Sequence, residues 1–123
     1  MNTLFVDDST DRWQQYSEIA KNLGWFAGWA INYNAAQSGF SYKTYDIVFL
    51  DHDLGENEKS GYDVAKFMVE HGIKVGLVVI HTMNPVGADN IHTLLRNTGY
   101  KTIRGSWNDE NFIKNLKVLI TGP

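Results

Sequence analysis

The chain has 123 residues, 43% of them hydrophobic, which is enough for one domain with a substantial core, and we expect that domain to span residues 1–123. The formal net charge of −3 argues against a broad nucleic-acid-binding surface, although it leaves room for a pocket that takes one nucleotide. Cysteine is absent, which excludes disulfides and thiolate metal sites, and no apolar run reaches the roughly 18 residues that cross a bilayer. Because the N-terminus also lacks a signal-peptide pattern, we expect a soluble cytoplasmic protein.

The N-terminal segment predicts a strand followed by a helix. Residues 4–6 form a short apolar run that ends in Asp7 and Asp8, and apolar residues then recur at helical spacing over residues 10–23. Gly24 can end this helix in a left-handed conformation. A strand, an acidic turn and a helix in this order open a βα unit.

The segment that follows is rich in aromatic residues. Residues 26–31 are interpreted as a second strand and residues 34–42 as a short, weak helix. The aromatic side chains have two interpretations. They pack the helix against the sheet at its edge, or Trp25, Trp29 and Tyr33 form an exposed surface that binds a partner.

Residues 45–50 give the strongest strand pattern, a largely apolar run that leads into Asp51, His52 and Asp53. Such a run indicates a strand that is buried on both faces, which is typical of parallel sheets covered by helices. Ligands of open α/β sheets bind at the carboxyl ends of the strands. The polar residues after this strand are therefore candidates for a functional site.

The rest of the chain continues the alternation of helix and strand. The predicted elements are a helix from Gly61 to His71, a strand at residues 74–80, a helix that starts at Asn84-Pro85 and ends at Gly99, a strand at residues 102–104, and a last helix capped by Asn108. Five strand–helix units with right-handed crossovers favour a flavodoxin-like, doubly wound α/β fold with one five-stranded parallel sheet of order 2-1-3-4-5. In that order the first and third strands are neighbours, which brings Asp7 and Asp8 beside Asp51.

Several of these features resemble a response-regulator receiver domain. They are the two acids after the first strand, the aspartate after the third strand, and the helix start GYDV at residues 61–64. The resemblance implies that Asp7 and Asp8 bind Mg²⁺ and that Asp51 accepts a phosphoryl group. The chain departs from that family at its fifth strand, where Arg104 is the residue nearest to the usual lysine.

Two longer motifs resemble the cyclic-phosphate processing receiver family, small receiver-like proteins of bacteria and their phages. The motifs are DHDLG at residues 51–55 and HTMNPVG at residues 81–87. The resemblance implies that the protein handles cyclic or terminal phosphates during RNA repair, with a small phosphate ester, a nucleotide or an RNA end as its ligand. It also implies the cytoplasm of a bacterium, or of the host if the protein is encoded by a phage.

Carboxylates at this density indicate a divalent metal site. Asp7, Asp8 and Asp51 would repel one another if left uncompensated, and a hard cation, Mg²⁺ or alternatively Mn²⁺, would relieve that repulsion. Asp51 and Asp53 also have the spacing of the nucleophile and the acid/base in haloacid-dehalogenase-like phosphatases. We therefore predict that Asp51 is a metal ligand or nucleophile, that Asp53 is the acid/base, and that His81 is a proton donor or phosphate contact. A structural, hydrogen-bonded role for His81 is an equal alternative.

A phosphate pocket is predicted at the end of the fourth strand. The helix that starts at Asn84 presents free amide groups, which form an anion site, and Gly87 leaves room for close approach by a phosphate. Receivers usually end the fourth strand in Thr or Ser, whereas here the strand ends in His81-Thr82. We assign Thr82, Asn84, Gly87 and Arg104 to phosphate binding; the alternative for the helix start is a well-capped helix without a ligand.

Two other functions are open. A stand-alone receiver would be phosphorylated at Asp51, or would sense phosphate without turning it over. A phage interaction protein would bind a host partner through Trp25, Trp29 and Tyr33, and exposure of those three side chains as one apolar patch would favour it. Multiple turnovers on a phosphate ester would favour the enzyme over the receiver.

Overall fold

The computed structural model describes residues 1–121, in which five strands alternate with five helices. In chain order these are β1 (Asn2–Val6), α1 (Thr10–Leu23), β2 (Phe26–Ala30), α2 (Tyr33–Tyr42), β3 (Tyr45–Leu50), α3 (Gly61–Glu70), β4 (Val75–Ile80), α4 (Pro85–Asn97), β5 (Thr102–Arg104) and α5 (Glu110–Thr121). The last two residues of the predicted 1–123 domain lie outside the described residues. Within residues 1–121, no helix is both long enough and apolar enough to cross a bilayer.

The strands form one parallel sheet in the order β2-β1-β3-β4-β5, which confirms the predicted flavodoxin-like topology. Val6 at the end of β1 pairs with Leu50 at the end of β3, so the residues that follow these two strands start side by side. A backbone hydrogen bond from Asp51 N–H to the Val6 carbonyl (3.0 Å) extends the pairing by one step. The acids after β1 and β3 are therefore held at one edge of the sheet.

Both faces of the sheet are buried, and this explains the uninterrupted apolar runs of the central strands. Side chains of β3 alternate between two layers: Val48 and Leu50 face α2, α3 and α4, whereas Ile47 and Phe49 face α1 and α5. All four are fully buried. Burial of this apolar surface is the main free energy that holds the strands in register.

The helix ends follow the predicted signals with one correction. Ser9 caps α1, Gly24 ends it at φ 73°, and Asn84 caps α4 with Pro85 in its first turn. The prediction that Asn108 caps α5 is wrong: the Phe112 amide donates to Oδ1 of Asp109 (3.1 Å). Asn108 instead accepts a hydrogen bond from the Ser106 hydroxyl, so its side chain belongs to the turn before the helix.

The predicted aromatic surface is divided between the two faces of the sheet. Trp29 stacks on Trp13 with ring centroids 5.5 Å apart, and Trp25 packs in the same layer, beside α1 and α5. Tyr33 packs in the opposite layer, edge-on to Phe67 at 6.3 Å. All three predicted side chains are only partly exposed. They therefore do not form the single apolar patch that a partner site at this place would require.

Gly61 opens α3 directly beside the end of β3. Its N–H donates to the His52 carbonyl (2.7 Å), and a Cβ at this position would overlap the backbone carbonyl oxygen of Asp51. Only glycine fits here, because backbone atoms cannot move aside as the end of a flexible side chain can.

Replacing Gly61 with alanine is expected to lower the free energy of unfolding by about 2 kcal/mol, since the new methyl group forces β3 and α3 apart. Urea denaturation measures the change. Gly28→Ala is the matched control, because a Cβ there would meet its nearest neighbour, Leu4 Cδ1, at an ordinary 3.5 Å. Equal stabilities for the two variants would contradict the prediction.

Candidate functional site

The three predicted metal acids converge at the carboxyl edge of β1 and β3. Asp7, Asp8 and Asp51 each place one carboxylate oxygen within 4.8 Å of the others. Asp7 is fully buried and Asp51 nearly so, whereas Asp8 is exposed. The three carboxylates thus form an acidic cluster at the sheet edge where ligands of this fold class bind.

Asp7 has no free oxygen lone pair in this arrangement. Its Oδ1 accepts hydrogen bonds from the Ser9 amide (2.8 Å) and from Arg12 Nη2 (2.9 Å), and its Oδ2 accepts from Arg12 Nε and His81 Nε2 (both 2.8 Å). A carboxylate offers about four lone-pair sites, so all are used. Burial alone would raise the pKa of Asp7, but the hydrogen bonds from His81, Arg12 and Ser9 outweigh it and hold the pKa below its usual value. Metal ligation by Asp7 stays a prediction that requires one of these donors to move.

Arg12 pairs with all three acids of the cluster, although no sequence motif identifies it as a site residue. Besides its two bonds to Asp7, its Nη2 lies 3.5 Å from Asp51 Oδ2 and 3.7 Å from Asp8 Oδ1. Hydrogen bonding to Asp7 raises the pKa of the guanidinium, despite the opposing effect of its partial burial. The position of Arg12 in the first turn of α1 could have indicated this pairing, because the helix dipole disfavours a cation there unless nearby acids compensate its charge. Its spacing of four residues from Asp8 points to the same pairing.

Asp51 is the less compensated of the two buried acids. Its Oδ1 accepts a hydrogen bond from the His52 amide (2.9 Å), and its Oδ2 lies 3.5 Å from Arg12 Nη2. Burial, and next the charge of Asp7, raise the pKa of Asp51, and the attractions from His81, Arg12 and Thr82 offset this only in part. A cation bound beside this buried carboxylate would offset its incompletely compensated charge, which makes Asp51 a candidate functional residue.

Replacing Asp51 with asparagine is expected to stabilise the metal-free protein at neutral pH by on the order of 1 kcal/mol. Because the folded-state pKa of Asp51 lies above its usual value of 3.8, its ionisation costs stability as the pH rises through that folded-state pKa. The advantage of the variant should therefore vanish at pH values below 3.8, where the acid is protonated in both states. Thermal unfolding with a chelator, followed across pH, measures it.

Adding Mg²⁺ should make the wild type more stable than Asp51→Asn. An ion that binds only the folded wild type stabilises it in proportion to ln(1 + [Mg²⁺]/Kd). Asp11→Asn, at an exposed acid of α1 outside the cluster, is the control and should gain as much from Mg²⁺ as the wild type. If Asp51→Asn gains as much as the wild type, then Asp51 is not a ligand.

His81 is part of the wall of the site. Its ring stacks on Phe5 with centroids 5.1 Å apart, its side chain is 1% exposed, and its Nε2 donates to Asp7. The other nitrogen, Nδ1, is buried without a hydrogen-bond partner among residues 1–121. In this conformation His81 orients Asp7, and its predicted contact with a substrate stays a prediction that requires the ring to be uncovered.

Asp53 lies at the open side of the site beside a second histidine. The Asp53 side chain is 69% exposed and its Oδ1 accepts a hydrogen bond from His52 Nδ1 (3.0 Å). The His52 ring occupies the space above Gly87, where a Cβ would overlap it, and Asn84 Nδ2 lies 3.4 Å from His52 Nδ1. Asn84 Oδ1 accepts from the Gly87 amide (2.9 Å). The predicted phosphate contacts at Asn84 and Gly87 are therefore covered by protein groups and stay predictions that require His52 to move.

An open cleft of about 690 Å³ joins most of the predicted site residues. Its lining residues are Asp8, Arg12, Asp51, Asp53, Gly55, Glu56, His81, Thr82, Met83 and Trp107. Of the four predicted phosphate-binding residues, Thr82 lines this cleft. Arg104 lines a separate adjoining cavity and pairs with Asp89 of α4.

Solved response regulators share the fold of this chain. The response regulator protein TrrA from Thermotoga maritima, solved in complex with Mg(2+)-BeF, is 20% identical with a TM-score of 0.73, over 96% of this chain and 97% of that one. A two-component response regulator from Clostridium difficile is 19% identical with a TM-score of 0.75, over 99% and 97% of the two chains. At these identities the likeness establishes the receiver fold alone. No curated protein matches the chain. The model of the cyclic-phosphate processing receiver domain matches residues 2–97, which include Asp7, Asp8, the DHDLG motif and α4, and the chain belongs to that family.

Proposed function

We propose that the acidic cleft binds a divalent cation and processes the cyclic or terminal phosphate of a nucleotide or an RNA end. The observation that carries this proposal is Asp51, a buried and incompletely compensated carboxylate at an open cleft that it shares with Arg12 and Thr82. A phosphoryl group at this place would meet a nucleophile, a guanidinium and a hydroxyl. The description of the matched family supports the choice of substrate.

The donor set fits a metal that needs few protein ligands. Asp8 is exposed and Asp51 meets Arg12 only at 3.5 Å, so each can turn an oxygen towards an ion, whereas Asp7 is fully engaged. Mg²⁺ typically takes one or two carboxylates and completes its shell with water and phosphate oxygens, and Mn²⁺ accepts similar ligands. Bound there, the ion would neutralise charge on the phosphate. The Mg²⁺ complex of TrrA, which has the same fold, supports this choice of metal.

The chain supplies the groups for a two-step transfer. Attack by an Asp51 oxygen on phosphorus forms an acyl phosphate and breaks the ester bond, and the leaving oxygen takes a proton from Asp53. Asp53 then removes a proton from the water that hydrolyses the acyl phosphate, which regenerates Asp51 and releases inorganic phosphate from a terminal ester or the ring-opened monoester from a cyclic phosphate. The hydrogen bond from His52 holds Asp53 at the cleft, and Arg12 balances the negative charge of the transferred group.

The direct test is turnover of 2′,3′-cyclic AMP and of a 3′-phosphorylated oligoribonucleotide by the wild type, with Mg²⁺ and with Mn²⁺. We expect multiple turnovers that a chelator abolishes and that added metal restores. The absence of turnover on both substrates with either metal would overturn the enzymatic proposal.

A non-enzymatic receiver is the second candidate, because Asp51 follows β3 and shares the cleft with Thr82, which follows β4, within the fold of the response regulators. In that case acetyl phosphate would label Asp51 once per chain, and the label would persist without turnover. Intact-mass spectrometry, with Asp51→Asn as the unlabelled control, separates the two functions.

A further inference from the structure

We propose that the cavity beside the acidic cleft is a subsite for the base of the nucleotide whose phosphate the cleft holds. This inference rests on the proposed function and extends it, because it requires the substrate to carry a base next to the phosphate. The cavity has a volume of about 310 Å³ and lies between the ends of β4 and β5 and the start of α4.

The cavity and the cleft adjoin. Thr82, Met83 and Trp107 are accessible and line both of them, so a ligand can extend from one to the other along these side chains. A small ester without a base would fill the acidic cleft and leave the cavity empty. A nucleotide would occupy both.

The lining of the cavity suits an aromatic ring that carries hydrogen-bond acceptors. Ile80, Pro85 and Ala88 provide an apolar wall, and the partly exposed indole of Trp107 provides a face on which a base can stack. Arg104 adds a guanidinium, which has donors only. Its pairing with Asp89 is solvent-exposed on both sides, so little free energy is lost when the guanidinium turns to a base.

Met83 completes the subsite from the solvent side. It lines both spaces and is 97% exposed, which is unusual for a large apolar side chain with no role in the core. A thioether is flexible and packs favourably against aromatic rings. Met83 can therefore close over a base that lies in the cavity beside Trp107.

The experiment compares AMP with ribose 5-phosphate, which is the same sugar phosphate without the base, in the presence of Mg²⁺. Ligand-observed NMR measures both dissociation constants and reports any hydrolysis. We expect the wild type to bind AMP more tightly by roughly 5- to 160-fold, the effect of one stacked base. Trp107→Ala should lose this preference, measured as the ratio of the two dissociation constants.

Two further variants test whether the loss of preference for AMP is specific to the subsite. Trp25→Ala removes an indole from a position outside both cavities and should keep the preference for AMP. Met83→Ser changes a fully exposed side chain, so it reports on the subsite even if Trp107→Ala does not fold, and it should reduce the preference by a smaller factor.

The possible failures are distinguishable. Equal binding of AMP and ribose 5-phosphate by the wild type would overturn the base subsite and leave the phosphate site standing, with the cavity free for a side chain of a partner protein. A preference for AMP that persists unchanged in both Trp107→Ala and Met83→Ser would also overturn it. If neither compound binds, the proposed function fails and the subsite fails with it.

Discussion

Replacing Arg12 with methionine is expected to lower the free energy of unfolding by about 3 kcal/mol, because the fully buried Asp7 would lose its charged partner. Loss of one partner of a buried pair typically costs about 3–5 kcal/mol, and the low end applies because Arg12 is 37% exposed and water can reach its side of the pair. For a chain of this length the melting temperature should fall by about 10–15 °C. Thermal unfolding at neutral pH measures the change.

Two variants control for the loss of an arginine as such. Arg104→Met breaks an exposed ion pair and should cost less than about 1 kcal/mol. The double variant Asp7→Asn/Arg12→Met removes both charges and should recover part of the lost stability. Saturating Mg²⁺ should stabilise Arg12→Met more than the wild type, because the ion then replaces the missing cation. A Mg²⁺ effect that is smaller in the variant would show that Arg12 supports the metal site instead of competing with it.

Replacing Asp53 with asparagine is expected to slow turnover of the phosphate ester by roughly 10²–10⁴-fold, the usual cost of losing a general acid/base. Asparagine keeps the shape of the side chain but can neither donate a proton to the leaving oxygen nor accept one from water. The acyl phosphate on Asp51 should therefore accumulate. Single-turnover kinetics and intact-mass spectrometry of the quenched enzyme measure the two effects.

The control for this variant is Glu58→Gln, which removes a carboxylate from the same loop at an exposed position outside the cleft lining. It should turn over the ester at the wild-type rate. Asp53→Asn with an unchanged rate would remove Asp53 from the mechanism, even if the wild type is an enzyme.

The sequence could predict the fold and the meeting of the acids because both depend on order along the chain. Apolar runs identify strands, and the strand order of a doubly wound sheet places the ends of β1 and β3 together. It could not predict that Asp7 is saturated, since the four donors come from Ser9, Arg12 and His81, and the last of these is 74 residues away. Only the packing of His81 between Phe5 and the acids decides where its ring points.

The sequence also could not predict which residue caps α5 or what occupies the space at Gly87. Asn108 and Asp109 are both good helix-capping residues, and the competing hydrogen bond from Ser106 decides between them. Because glycine has no side chain, the sequence predicts room for a phosphate at Gly87. In the folded chain the His52 ring occupies that space.

The hydrogen bond from Gly61 to His52 makes the tip of the segment between them an exchangeable part of the protein. The bond ties the two ends of residues 53–60 together, and within them Leu54 packs in the core and Ser60 caps α3, so residues 55–59 can change without disturbing the sheet or α3. Each doubling of the length of such a tied loop costs only about 0.6 kcal/mol in closure entropy. Grafting a longer or differently charged sequence in place of residues 55–59 is therefore a practical way to redesign ligand selectivity, since Gly55 and Glu56 line the cleft while the scaffold beneath stays intact.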